Sequence, residues 1–172
     1  MSKSESNSII LDSTAIRDKV KRMAYEIYED FFEEKELFLL GVDSQGYFLA
    51  QLIFAELRNV HPIKYQVGKV TINKKDPLKN EANISLPHNS TLKGGCVILI
   101  DDVLNSGKTL AYAMSPLLNM GPRKLQVCVL INRDHNVFPV SPNYVGLSLG
   151  TTLEEHVEVS LEKKGKESAF LH

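Results

Sequence analysis

The sequence predicts an α/β fold, a mostly parallel central sheet flanked by helices. Three runs carry that expectation: ELFLLGV (36–42), CVILID (96–101) and KLQVCVLIN (124–132), each apolar almost without a break. A strand with one wet face alternates, whereas a strand covered by helices on both faces need not. Between the runs lie segments with helical periodicity, and alternating strand and helix implies parallel crossover units. Ligands of such sheets bind beyond the carboxyl ends of the strands. Residues 43–46 and 101–109 fall there, so both are site candidates before any chemistry is considered.

The elements follow in order. Residues 1–8 (MSKSESNS) are polar and Ser-rich and read as a disordered arm. Asp12, Ser13 and Thr14 are N-cap residue types. After them Ile16, Val20, Met23, Ala24, Ile27 and Phe31 recur at helical intervals, which predicts a helix to about Phe32. ELFLLGV is the first buried strand. It ends in the turn Asp43, Ser44, Gln45, Gly46, and a second helix follows to about Leu57. IKYQVGKVTI is rich in β-branched residues and reads as a strand. Residues 73–95 show no sustained periodicity and form a long loop with one short strand near 83–86; a loop of that length is functional or disordered. CVILID is the next strand, a helix runs from about Lys108 to Asn119, and Gly121-Pro122 stops it. KLQVCVLIN follows. Past Arg133 the prolines and glycines break up short apolar pieces, until HVEVSL alternates like an edge or hairpin strand.

The chain has 172 residues, 43% apolar and 24% charged, with a formal net charge of −1. This describes one ordinary globular domain, here residues 9–172, and it argues against a uniformly basic nucleic-acid binder. Cys96 and Cys128 sit inside apolar runs and read as buried, reduced thiols. No apolar stretch is long enough to cross a bilayer and no signal peptide opens the chain, so a cytoplasmic location is expected. His61, His88 and His172 have no ligand-like spacing and read as surface residues. Phe31, Phe32, Phe48 and Phe54 lie at helical spacing and read as core.

The chemistry concentrates in ILIDDVLNSGKT, residues 98–109. A Walker A loop needs a glycine five residues before Gly107, and that place holds Asp102, preceded by Asp101. Two carboxylates would repel a triphosphate. No G-x-G-x-x-G follows the first strand either. What remains suits one monophosphate: a strand-to-helix turn whose free amides point into the loop, with Gly107 allowing close approach. Val103, Leu104, Asn105, Ser106, Gly107, Lys108 and Thr109 form this cup, and Ser106 and Thr109 add hydroxyls. The carboxylates beside it accept hydrogen bonds from hydroxyl groups or bind a metal. A sugar phosphate supplies both halves.

VILIDDVLNSGKT resembles the phosphoribosyl-pyrophosphate (PRPP) signature of type I phosphoribosyltransferases. ILDSTAIRDKVKRMAYEI, LLGVDSQGYFLA, MGPRKLQVCVLINRDHNVFP and NYVGLSLGTT further resemble the bifunctional pyrimidine-operon attenuators that are also uracil phosphoribosyltransferases, over roughly residues 9–160. The resemblance implies the type I fold with a small hood, approximately residues 133–160, and a long flexible loop. It implies that Asp101 and Asp102 hold the ribose hydroxyls and that residues 104–109 hold the 5′-phosphate. Residues 43–46 would face the pyrophosphate, with Lys74, Lys75 and Asp76 closing over the site. Arg133, His135 and Val145 would belong to the base-covering hood. It implies transfer from PRPP to a nucleobase, uracil or another pyrimidine, with Mg2+ arriving on the pyrophosphate, in at least a homodimer. A PRPP- or nucleotide-sensing regulator with little catalysis is the alternative.

Three departures stand out. The subfamily's turn usually reads Lys-Thr-Arg-Gly, so here two cations are absent and Asp43 is an added anion. One unfavourable charge pair at about 4 Å and an effective dielectric constant of about 20 costs on the order of 4 kcal/mol. On the first helix Arg17, Lys19, Lys21 and Arg22 are basic, but Tyr25 stands where the RNA-binding relatives carry histidine, and Asp18 and Glu26 dilute the charge. The phosphate turn itself reads Asn-Ser-Gly-Lys-Thr rather than Tyr-Thr-Gly-Arg-Thr, which keeps its donors.

Overall fold

The computed structural model describes residues 8–73, 78, 82–87, 89–152 and 154–172. The chain runs β1 (Ser8–Leu11), α1 (Ser13–Phe31), β2 (Glu36–Val42), α2 (Asp43–Val60), β3 (Lys64–Thr71), β4 (Asn83–Ser85) and β5 (Cys96–Leu104). It continues through α3 (Lys108–Asn119), β6 (Lys124–Asn132), β7 (Tyr144–Ser148), β8 (Val157–Ser160) and β9 (Ser168–Leu171). Six strands form one sheet in the order β4-β3-β2-β5-β6-β7, parallel except for β4. The expected mostly parallel sheet is present.

The continuous apolar runs are explained by the two cores they feed. Along β2, Leu37 and Leu39 join the core under α1 and α2, while Phe38 and Leu40 join the core under α3. On β5, Ile98 and Ile100 face the first core and Val97 and Leu99 the second. Both sides of each central strand are therefore covered, which removes any pressure to alternate with polar residues. Cys96 and Cys128 are free, buried thiols as expected, and burial pushes the Cys128 thiol up. Among the described residues no helix is long and apolar enough to cross a membrane.

The helices start where their caps dictate. Asp12 accepts a hydrogen bond from the Ala15 amide at 2.8 Å and begins α1. α3 has the bounds that the sequence predicts. α2 differs from expectation: it begins directly at Asp43, so residues 43–46 are its first turn rather than a separate loop. Asp43 makes the change of direction at φ +51°, and Gly46 lets the helix lie against the backbone of β5. Two aromatic readings also differ. Phe32 is 60% exposed, beyond the end of α1. His61 is buried, with its Nε2 at 3.1 Å from the Phe32 carbonyl and its ring edge-on to Tyr28 and Tyr65.

A second, three-stranded antiparallel sheet has the order β1-β9-β8. Ser8, expected to end a disordered arm, is the first residue of β1, and β9 had no counterpart in the predicted elements. Residues 133–160 divide between the sheets: β7 forms the edge of the large one and β8 an edge of the small one. The guanidinium of Arg22 donates to the carbonyls of Val145 and Gly146, 2.8 Å each, and covers the open side of β7.

Glu167 ties the small sheet to α1. It is 3% exposed and accepts from Ser13 Oγ and the Gly165 amide, with Arg17 3.8 Å away. Burial alone would raise its pKa, but the hydrogen bonds and Arg17 together hold it below the ordinary 4.5. A depressed folded pKa means stability that is present above pH 4.5 and is lost as pH falls through the folded value. Glu167→Gln is therefore expected to flatten the fall in denaturation midpoint between about pH 5 and pH 3, measured by urea titration at each pH.

Candidate functional site

β5 delivers the acid pair. It continues through Asp101 and Asp102 to Leu104, three residues beyond the predicted strand, in register with Val129 to Asn132 of β6. Asp101 is 4% exposed, and its Oδ1 accepts the Asp102 amide at 3.0 Å. Asp102 is half-buried beside it.

The turn into α3 forms the cup. Gly107 is the N-cap residue at φ +82°, a left-handed conformation that a side chain would strain. No side chain caps the helix there. The Ala111 amide makes the helical bond back to the Gly107 carbonyl, so the amides before it lie at the open helix end. Ser106 Oγ accepts the Lys108 amide at 3.3 Å. Residues 103–110 and Asp101 line a hollow of about 130 Å3. Asp101 thus borders the phosphate-sized space, while Asp102 lies outside its wall.

A neighbouring segment that the sequence reading did not connect with the cup holds it in shape. The amides of Val137 and Phe138 both donate to the Ser106 carbonyl at 2.9 Å. A Cβ on Gly107 would stand 3.3 Å from both the Phe138 carbonyl oxygen and Val140 Cβ. The missing side chain at Gly107 was the one local signal of this packing.

Residues 43–46 lie against the same crevice, because a Cβ on Gly46 would stand 3.3 Å from Asp101 Cα. Their side chains have assigned work. Asp43 Oδ1 accepts the Ile72 amide at 3.2 Å, and Gln45 Oε1 accepts the Leu161 amide at 2.9 Å. Ser44 is exposed. Lys74, Lys75 and Asp76 lie outside the described residues, as does His88.

The three residues expected to cover a base are not equivalent. Arg133 is 3% exposed and donates to Thr151 Oγ1 and to the carbonyls of Thr152 and Glu155 at 2.6–3.0 Å. His135 Nε2 lies 2.6 Å from the Thr151 carbonyl. Both position the segment around residues 151–155. Val145 instead packs its side chain on the core under α3.

Among the described residues no group of three or more His, Cys, Asp and Glu side chains could hold a metal ion. Asp101 and Asp102 supply hard oxygen atoms that suit Mg2+, which keeps several waters and shares substrate phosphate oxygens. The donor set therefore fits an ion that comes in with its ligand.

Comparison with known proteins agrees with this geometry. The model of the phosphoribosyl transferase domain matches residues 6–166. The bifunctional protein PyrR of Brevibacillus brevis is 34% identical over 160 residues, spanning 90% of this chain and 89% of that one. PyrR of Streptomyces coelicolor is 33% identical over 170 residues, 94% of this chain and 88% of that protein. Among solved structures, the hypoxanthine phosphoribosyltransferase of Trypanosoma cruzi superposes with a TM-score of 0.74 at 15% identity. It covers 94% of this chain and 95% of its own, a likeness of fold. With the acid pair, the amide-lined cup and the matched span in agreement, the chain belongs to the type I phosphoribosyltransferase family, in the branch of the PyrR proteins.

Proposed function

We propose that the protein transfers the phosphoribosyl group of PRPP to a nucleobase, uracil or another pyrimidine, and releases pyrophosphate. The observation that carries this reading is Asp101 on the wall of the amide-lined hollow at the β5–α3 junction. A 5′-phosphate in the hollow meets backbone amides and the Ser106 and Thr109 hydroxyls. The ribose then extends over Asp101 and Asp102, whose carboxylates accept from its two hydroxyls. The bond from C1 to the pyrophosphate oxygen breaks as a base nitrogen bonds to C1; pyrophosphate leaves with the electron pair and takes up the proton that the nitrogen gives up. These residues contribute position and charge rather than a nucleophile. Mg2+, when bound, neutralises the leaving pyrophosphate.

Lys74 and Lys75 close over the leaving group in this reading, and loop closure excludes water. Arg133 and His135 act on the base indirectly, by fixing the segment around residues 151–155. The protein works in the cytoplasm, as a homodimer or larger assembly.

A second reading, a nucleotide-sensing regulator with weak catalysis, is favoured by the engaged side chains of Asp43 and Gln45. RNA is a weak partner in either reading. Arg22 is paired with Glu26 and bound to two carbonyls, and Arg17 lies against Ser13 and Glu167, so neighbouring acids offset part of the helix's positive charge.

The experiment is incubation with PRPP, Mg2+ and each nucleobase in turn, following pyrophosphate release beside PRPP binding by calorimetry. Nucleotide formed from one base confirms transfer and names the substrate. PRPP binding without turnover on any base rejects transfer and leaves the regulator.

A further inference from the structure

We propose that the groove between α1, α2 and residues 161–167 is a second binding site. Its ligand is a small molecule with an apolar body and one positive charge, such as a protonated amine. The inference does not depend on the reading of the crevice, because none of the residues around the hollow at the β5–α3 junction lines this groove.

The groove has a volume of about 470 Å3 and three walls. α1 contributes Val20, α2 contributes Phe48, Leu52 and Ala55 from one face, and Leu161 closes the third side. Val20 and Leu161 are buried, and Phe48 and Leu52 pack half-buried on the core under the same two helices. The third wall is tied at both ends. The Leu161 amide donates to Gln45 Oε1 at 2.9 Å, which fixes it to the first turn of α2. Glu167 accepts from Ser13 Oγ, which fixes it to the first turn of α1. Between these ties the Lys166 amide donates to the Lys163 carbonyl at 2.9 Å, and Gly165 turns the chain at φ +81°. The space is therefore formed before anything enters it. A preformed cavity of this size, apolar with a few polar groups, has the character of a small-molecule site.

The charges around the mouth select the head group. Arg17 and Lys164 stand against Glu56, Glu162 and Glu167. Arg17 lies 3.8 Å from Glu167, so those two offset each other. Lys164 is left against two acids. Among the described residues the carboxylates of Glu56 and Glu162 have no hydrogen-bond or ion-pair partner, and neither has the Lys164 ammonium. An acidic excess beside an apolar floor favours a cation over an anion of the same shape. A protein partner fits less well. Eleven residues line the groove, whereas a stable protein interface uses about 20–30 on each side.

The test compares two aromatic dyes of opposite charge. Auramine O, a cation, and 8-anilinonaphthalene-1-sulfonate, an anion, are titrated into the full chain and followed by fluorescence. The expected result is one auramine O per chain, bound about 10-fold more tightly than the sulfonate. Glu56→Gln combined with Glu162→Gln keeps the shape of the rim and removes both charges. The double variant should lose about 10-fold in auramine O affinity, the scale of two partly exposed charge contacts, and should not lose affinity for the sulfonate. Absence of auramine O binding overturns the inference, as does a sulfonate that binds equally well. Auramine O binding that the double variant leaves unchanged overturns it too. Displacement of the dye by ribose 5-phosphate would put it in the crevice and also overturns the inference. The two dyes on the unaltered protein decide the main point even if the double variant does not fold.

Discussion

Gly46→Ala will destabilise the protein more than any surface change. The added Cβ would stand 2.5 Å from the Ile100 carbonyl oxygen, a backbone atom of the central strand, and 3.3 Å from Asp101 Cα. Neither neighbour is a flexible side chain that can swing aside, so the first turn of α2 must lift from β5. Overpacking of this kind costs about 1–3 kcal/mol, and a clash between two backbones lies at or above the upper end of that range. The loss is large against a total stability of roughly 5–15 kcal/mol. Urea denaturation followed by circular dichroism measures it. A midpoint unchanged from the parent protein would show that α2 does not press on β5 as described. Because Gly46 lies beside the acid pair, any folded fraction should also bind its ligand weakly.

The second large effect falls on binding. Asp102→Ala removes a half-buried carboxylate at the end of β5, and Asp101→Asn exchanges a buried one for its neutral isostere. Hydrogen bonds to charged acceptors contribute about 1.5–3 kcal/mol each, so each variant should lose roughly 10–100-fold in affinity for ribose 5-phosphate. Inorganic phosphate touches only the cup, so its affinity should stay as it was in Asp102→Ala and should not fall in Asp101→Asn, which takes a negative charge off the wall of the hollow. Asp101→Asn retains an oxygen for the Asp102 amide, which separates the loss of charge from the loss of that turn's geometry. Parallel calorimetric titrations with the two ligands read the difference. Equal losses for phosphate and ribose 5-phosphate would mean that the acids shape the cup instead of holding a sugar.

Much of this site was legible because its signals are local. Residues 96–100 are uninterruptedly apolar because β5 is covered by α1 and α2 on one face and by α3 on the other. The step from strand to helix at residues 104–108 follows from Gly107, whose φ of +82° few other residues adopt. The bounds of α3 follow from the turn before it and from Gly121-Pro122 after it. The small sheet was less legible. β1 and β9 are four residues each and lie at opposite ends of the chain, so neither has enough periodicity to declare itself. His61 misled for a related reason: with no ligand-like spacing it reads as a surface residue until Tyr28 and Tyr65 arrive from other elements.

The sequence by itself determined the parallel sheet, the glycine turn after β5 and the two acids in front of it. Each depends on residues within one strand–turn–helix unit, where burial pattern, glycine conformation and helix-end amides act over a few positions. Only the tertiary structure decided what the turn after β2 does. Gln45 meets a backbone amide 116 residues away in the chain, Asp43 one at the end of β3, and Arg133 three acceptors around residues 151–155. Such partners are chosen by how separate elements pack, and side-chain hydrogen bonds form with whatever backbone group that packing brings within about 3 Å.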